Sequence, residues 1–145
     1  LNTVLNIASN FLNKKQPIIQ IETKNNKEIK YSTKNPEKTY KITVLINENS
    51  ASASEVLAAA LNEQINATLI GKTSYGKGTV QKTKTLPSGG LIKYTIETWK
   101  TSKGKNIDGK GITPTIEITQ NENYYKDYNK KYDTQLNKAI ETALK

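Results

Sequence analysis

The sequence predicts a mixed α and β domain of the α+β type. Three observations predict it. Apolar residues recur at helical spacing at both ends of the chain. Between them lie several short runs that alternate with the period of a strand. In the middle, an apolar strand runs through small hydroxyl residues straight into an alanine-rich helix. A chain of 145 residues is long enough for one domain with a real core.

The elements follow in order. Leu1, Val4, Leu5, Ala8, Phe11 and Leu12 predict an amphipathic helix over residues 1–13. Pro17 to Thr23 alternates around Ile19 and Ile21, Asn25-Asn26 turns the chain, and Ile29 and Tyr31 continue the pattern to Thr33, as in a hairpin. Asn35-Pro36 marks a surface turn. Tyr40 to Asn47 reads as a short strand around Ile42, Val44 and Ile46. A helix from Ala53 to about Ile65 carries Val56, Leu57, Ala60 and Leu61 on one side, and its small Ala-Ala-Ala segment can lie close against a sheet.

Thr68 to Ile70 is a further strand, ended by Gly71. After a glycine-bounded loop over 71–78, Thr79 to Thr85 alternates, Leu86-Pro87-Ser88-Gly89-Gly90 turns, and Leu91 to Trp99 continues, with Ile92, Tyr94 and Ile96 on one face. Ser102 to Lys105 turns again, and Ile112 to Ile118 reads as a last strand. The tyrosine-rich stretch 124–132 fits a helix or a tail. Leu136, Ala139, Ile140, Ala143 and Leu144 predict a closing helix from about Thr134.

Composition excludes several chemistries. There is no cysteine, so no disulfide, thiolate metal site or thiol nucleophile. There is no histidine, so serine catalysis could not use imidazole, and no cofactor or metal is expected. The net charge is +9, yet all the basic residues are lysines, scattered along the strands. Nucleic-acid binding, which favours clustered arginine, is therefore not expected. No apolar run is long enough to span a bilayer as a helix.

The segment Asn49-Ser50-Ala51-Ser52-Ala53-Ser54-Glu55 admits two readings. Ser52 and Glu55 match the capping box, in which the serine oxygen accepts a backbone N–H of the helix. A serine at a sharp strand-to-helix turn also suits a nucleophile. It sits at the positive end of the helix dipole, its alanine neighbours leave room for a carbonyl, and the Ala53 N–H points to where an oxyanion develops. Both readings need the same oxygen. If Ser52 is the nucleophile, Ser50 or Ser54 is expected to share the capping.

Gly71-Lys72-Thr73-Ser74-Tyr75-Gly76-Lys77-Gly78 is a near miss to a phosphate-binding loop. Gly78 stands where Ser or Thr should hold magnesium, and a strand follows instead of a helix. Lys77 reads as a solvated loop lysine or as a general base. A lysine base must give up a proton held with a reference pKa of ~10.4, chiefly through desolvation, so the flanking glycines are expected to draw the amine into a closed pocket. Gln81, four residues on, can orient a neutral amine without competing for its charge.

At these residues the chain resembles the C-terminal processing, or tail-specific, proteases, which are serine peptidases with a Ser-Lys pair. Asn49 to Val56 is similar to their nucleophile motif and Thr68 to Gln81 to their lysine motif. Ile107-Asp108-Gly109-Lys110-Gly111-Ile112-Thr113-Pro114 resembles a segment they carry before the last strand, though Thr115 replaces their usual Asp. Asp133 to Leu136 resembles their closing helix.

The resemblance implies a partial crotonase-like core of the ClpP type, built from β-β-α units. Residues 1–145 would form the C-terminal portion of a protease catalytic domain. A PDZ domain and an upstream glycine-rich oxyanion segment would lie outside this chain. Ser52 would be the nucleophile, Lys77 the base, Gln81 its positioner, and the Ala53 N–H one oxyanion donor. The implied substrates are proteins or peptides cut at or near the C-terminus, in an extracytoplasmic compartment. Exposed strands could pair copies into a homo-oligomer. The rival is a non-catalytic binding module of the same fold.

Overall fold

Helix α2 (Ala53–Ile65) stands between two sheets, which explains why it is rich in alanine. The computed structural model describes residues 1–145. Around α2 are α1 (Asn2–Ala8), β1 (Pro17–Glu22), β2 (Lys27–Tyr31), β3 (Thr43–Ile46), β4 (Thr68–Gly71), β5 (Thr79–Thr85), β6 (Leu91–Thr101), β7 (Ile116–Glu117), α3 (Tyr124–Asp127) and α4 (Thr134–Leu144). One sheet is antiparallel, in the order β2-β1-β6-β5, and the other is parallel, in the order β3-β4-β7. The predicted α+β class is therefore observed.

The two faces of α2 divide the core. Val56, Ala60 and Leu61 pack with Ile19, Ile21 and Trp99 of the antiparallel sheet and with Val4, Ala8 and Leu12. Ala58 faces Ile46 and Leu69 of the parallel sheet. Each large apolar side chain buried in this way contributes about 1.5–3 kcal/mol. The helix stops at Asn66, whose backbone is left-handed (φ 56°, ψ 33°), while the Ala67 N–H returns to the Leu61 carbonyl. Near that end Glu63 accepts from Thr101 Oγ1 (2.9 Å), Ser102 Oγ (2.6 Å) and the Lys103 N–H (2.8 Å), which ties α2 to the end of β6.

Several elements differ from expectation for identifiable reasons. The first helix ends at Ala8 rather than residue 13. The Asn10 and Phe11 amides bond three residues back, to Ile7 and Ala8, so the chain tightens but still buries Leu12. The strand predicted over 40–47 is regular only over Thr43–Ile46. That predicted over 112–118 is reduced to Ile116–Glu117. There the Ile112 N–H and carbonyl are taken by Ser74, and Pro114 has no N–H to give a ladder. The tyrosine-rich stretch forms α3 and a 3-10 turn at Lys130–Tyr132.

Strand β6 runs two residues further than predicted, to Thr101. Its outer half and β5 form a hairpin that extends past the core, and Leu91 there is 71% exposed. The β5–β6 register shifts between Val80 and Gln81. That irregularity lies beside the loop carrying Lys77.

Candidate active site

The serine segment and the lysine loop meet at one buried carboxylate, Glu55. β3 delivers the chain to the turn at 47–52, which is closed by the Ser50 N–H on the Asn47 carbonyl and by the Asn47 N–H on Ser50 Oγ. Ser52 then takes φ 58° and ψ −118°, a region that L residues rarely occupy, and such strain costs on the order of 1–3 kcal/mol. Helix α2 begins at the next residue.

The arrangement of the capping box is present at Ser52. Glu55 Oε2 accepts the Ser52 N–H at 2.8 Å, which is the return half of a capping box. The Ser52 hydroxyl faces the Glu55 amide but makes no side-chain hydrogen bond of regular geometry. The Glu55 and Val56 N–H groups donate instead to the Ser52 carbonyl, at 3.0 and 3.1 Å. The Ala53 N–H makes no hydrogen bond and stands at the start of the helix. Neither Ser50 nor Ser54 caps the helix, contrary to expectation: Ser50 serves the preceding turn, and Ser54 is exposed.

The lysine loop is fastened on two sides. From α2, Glu55 Oε1 accepts Ser74 Oγ (2.5 Å) and the Gly76 N–H (2.7 Å), and Glu55 Oε2 accepts the Lys77 N–H (2.8 Å). The Tyr75 N–H donates to the Ser50 carbonyl at 2.9 Å. From the other side, Asp108 Oδ1 accepts the Gly78 N–H (3.0 Å), the Gly109 N–H reaches the Gly76 carbonyl (2.9 Å), and the Ile112 N–H reaches Ser74 Oγ (2.6 Å). A Cβ on Gly78 would lie 2.8 Å from the Asp108 nitrogen, and one on Gly111 would lie 2.2 Å from the Ser74 carbonyl oxygen.

These bonds account for the near miss to a phosphate loop. Its amides do cradle anions, but the anions are the carboxylates of Glu55 and Asp108. Thr79–Thr85 is the strand that the sequence predicts there.

An open cleft of about 630 Å³ runs along this loop and the face of the hairpin. Lys77, Gln81, Tyr75, Lys93, Asp108 and Ala51 are among the residues lining it. Lys77 and Gln81 thus share one cleft; Ser52 is not among its lining residues, although its neighbour Ala51 is. The closed pocket expected around Lys77 is not formed. The Lys77 side chain is exposed and makes no hydrogen bond, because the walls of this chain close around the loop backbone and not around the amine.

Sequence reasoning missed three contributors. Glu55 was visible only as a cap, although its place three residues after Ser52 was the available signal. Asp108 lay in the 107–114 motif without a role. Ser74 carried no signal at all: its place at the crossing of Glu55 and Ile112 depends on the fold.

A strained serine at the mouth of a central helix is thus bound through one carboxylate to a lysine loop, and comparison with known proteins gives the chain a family. Residues 1–118 match the model of peptidase family S41, and the chain belongs to that family. It is 44% identical over 121 residues to the carboxy-terminal processing protease CtpB of Bacillus subtilis, covering 83% of this chain and 25% of that protein. It is 39% identical over 117 residues to CtpA of the same organism, covering 80% and 25%.

Among solved structures, a photosystem II D1 C-terminal processing protease aligns with a TM-score of 0.69 and 26% identity, over 81% of this chain and 31% of that one. A putative peptidase from Parabacteroides merdae aligns with a TM-score of 0.77 and 20% identity, over 98% and 47%, a likeness of fold. The chain spans about a quarter of the length of the curated relatives it matches.

Proposed function

We propose that the chain carries the nucleophile and base of a serine endopeptidase that cuts protein substrates at or near their C-terminus. Ser52 Oγ attacks the scissile carbonyl and passes its proton to the neutral amine of Lys77. The Ala53 N–H donates to the developing oxyanion. The acyl-enzyme forms as Lys77 returns the proton to the leaving amine, and water activated by the same lysine then releases the product. Gln81 orients the Lys77 amine. A substrate lying in the cleft would cover that amine and remove it from water.

The observation that carries this reading is the Glu55 carboxylate, which binds the backbone of Ser52 and of Lys77 at once. The free N–H of Ala53 and the family membership support it. The wider assignments follow the relatives: an extracytoplasmic enzyme, with this chain as the C-terminal part of a catalytic domain whose other parts supply substrate capture and a second oxyanion donor. Pairing of copies through the open edges of β3 and β5 belongs to the same reading.

The test is digestion of a casein-like substrate by the full-length protein, since this chain alone is expected to be inactive, and by its Ser52→Ala and Lys77→Ala forms. Each substitution is expected to abolish cleavage while leaving the circular dichroism spectrum intact, and mass spectrometry of a trapped acyl adduct should place it on Ser52. Cleavage by Lys77→Ala at the unmodified rate would overturn the mechanism. Absence of cleavage in every form would favour a binding module.

A further inference from the structure

The outer wall of the cleft carries a lysine that makes no ion pair within the chain. β5 is an edge strand, paired on one side only. Across the hairpin Gln81 opposes Thr95 and Thr83 opposes Lys93, so Lys93 stands on the face of Gln81, one cross-strand pair further from Lys77. Lys93 lines the cleft and takes part in none of the ion pairs of the fold. The one acid lining that cleft is Asp108, whose Oδ1 accepts the Gly78 N–H. Glu97, the only acid of β5 and β6, accepts from Trp99 Nε1.

We propose that Lys93 is a specificity-determining residue that selects an extended peptide bearing a carboxylate. The inference rests on the peptidase reading only in placing a peptide in this cleft. The carboxylate would lie about two residues, some ~7 Å of extended chain, from the part of the peptide over Gln81. It can come from a Glu side chain or from the free C-terminus of the substrate, since an ammonium is a point charge that accepts either. An exposed pair of this kind shifts preference by up to about fivefold, and reversal of the lysine charge inverts it.

The test uses four peptides of one sequence, with Glu or Gln at a scanned position and a free or amidated C-terminus. They are presented to the full-length protein and to Lys93→Glu, with Lys84→Gln, on the opposite face of the hairpin, as control. Cleavage is read as kcat/KM, and binding as fluorescence anisotropy on Ser52→Ala forms with and without Lys93→Glu. The expected result is a threefold to fivefold preference for one carboxylate, inverted by Lys93→Glu and unchanged by Lys84→Gln, weakening as salt rises. The arm that shows it identifies the source.

Equal handling of all four peptides, or a preference that survives Lys93→Glu, overturns the proposal even where cleavage proceeds. A Lys93-dependent preference in binding without cleavage by any form of the full-length protein upholds it and overturns the peptidase reading. Neither binding nor cleavage overturns both.

Discussion

The Lys77 amide nitrogen lies 2.8 Å from Glu55 Oε2, the oxygen that also accepts the Ser52 N–H at 2.8 Å. Glu55 is fully buried, and its two oxygens accept four hydrogen bonds in all. The spacing of the serine turn and the lysine loop is therefore set by one side chain and not by the packing of two separate loops. A carboxylate suits the task because it is an acceptor only, with room for several donors.

Glu55→Ala removes the acceptor and leaves the Gly76 and Lys77 amides unpaired. A buried donor without a partner costs about 1–3 kcal/mol, so a loss on the order of 3 kcal/mol or more is expected. Glu55→Gln should lose less but still turn an amino group toward donors. Urea unfolding measures both. A loss below about 1 kcal/mol for Glu55→Ala would mean that the loop holds itself.

Ser52→Gly should make the protein more stable and inactive. Glycine occupies φ 58° without a Cβ penalty, although its freer unfolded chain offsets part of the gain. The expected net change is about 1 kcal/mol, seen as a rise of a few degrees in Tm. Ser52→Ala keeps the strain and should leave Tm nearly unchanged.

Gly109 and Gly111 both have left-handed backbones, at φ 69° and 71°, but only Gly111 is crowded. A Cβ on Gly109 meets nothing within 4 Å, so Gly109→Ala should cost only the conformational penalty, about 1–2 kcal/mol. A Cβ on Gly111 would strike the Ser74 carbonyl at 2.2 Å and push Ser74 off Glu55. Gly111→Ala should cost clearly more and should also lower activity, whereas Gly109→Ala should spare it. Parallel melting curves and rates separate the two.

Lys145 and Lys138 hydrogen bond to Glu141 and hold its carboxyl down to about 2. The folded value lies below the unfolded one, so this contribution to α4 is present above about pH 4.5 and is lost as pH falls toward 2. Lys100, then Lys27, lowers Glu22 in the same direction. Both sites are exposed, so the effects are small and screened by salt. The acid arm of the stability curve should flatten in Glu141→Gln, most visibly at low ionic strength. An unchanged acid arm there would contradict the assignment.

The fold class and the central elements were legible because they rest on local period: α2, β4 and β5 stand where spacing puts them. Ser52, Lys77 and Gln81 could be singled out from residue type and spacing. What could not be read was contact between distant segments. The 107–112 stretch closes on the 74–78 loop through backbone groups, which leave no trace in side-chain periodicity. The same contacts take the Ile112 amide from the predicted last strand and so shorten it. Exposure of Lys77 was equally hidden, since glycine neighbours permit a buried or a wet amine alike.

The lysine loop and the hairpin of β5 and β6 give the cleft a floor and a wall of unequal firmness. The floor is made of amides that bond to a carboxylate inside the core, so they open only when the core does. The wall is two strands with both faces wet beyond Thr95. Local opening is drawn from such thinly packed segments. The amides of Thr83 to Lys93 should therefore exchange with solvent long before those of Gly76 and Lys77. Breathing of the wall would admit a chain to the cleft while the serine and lysine backbones stay in register.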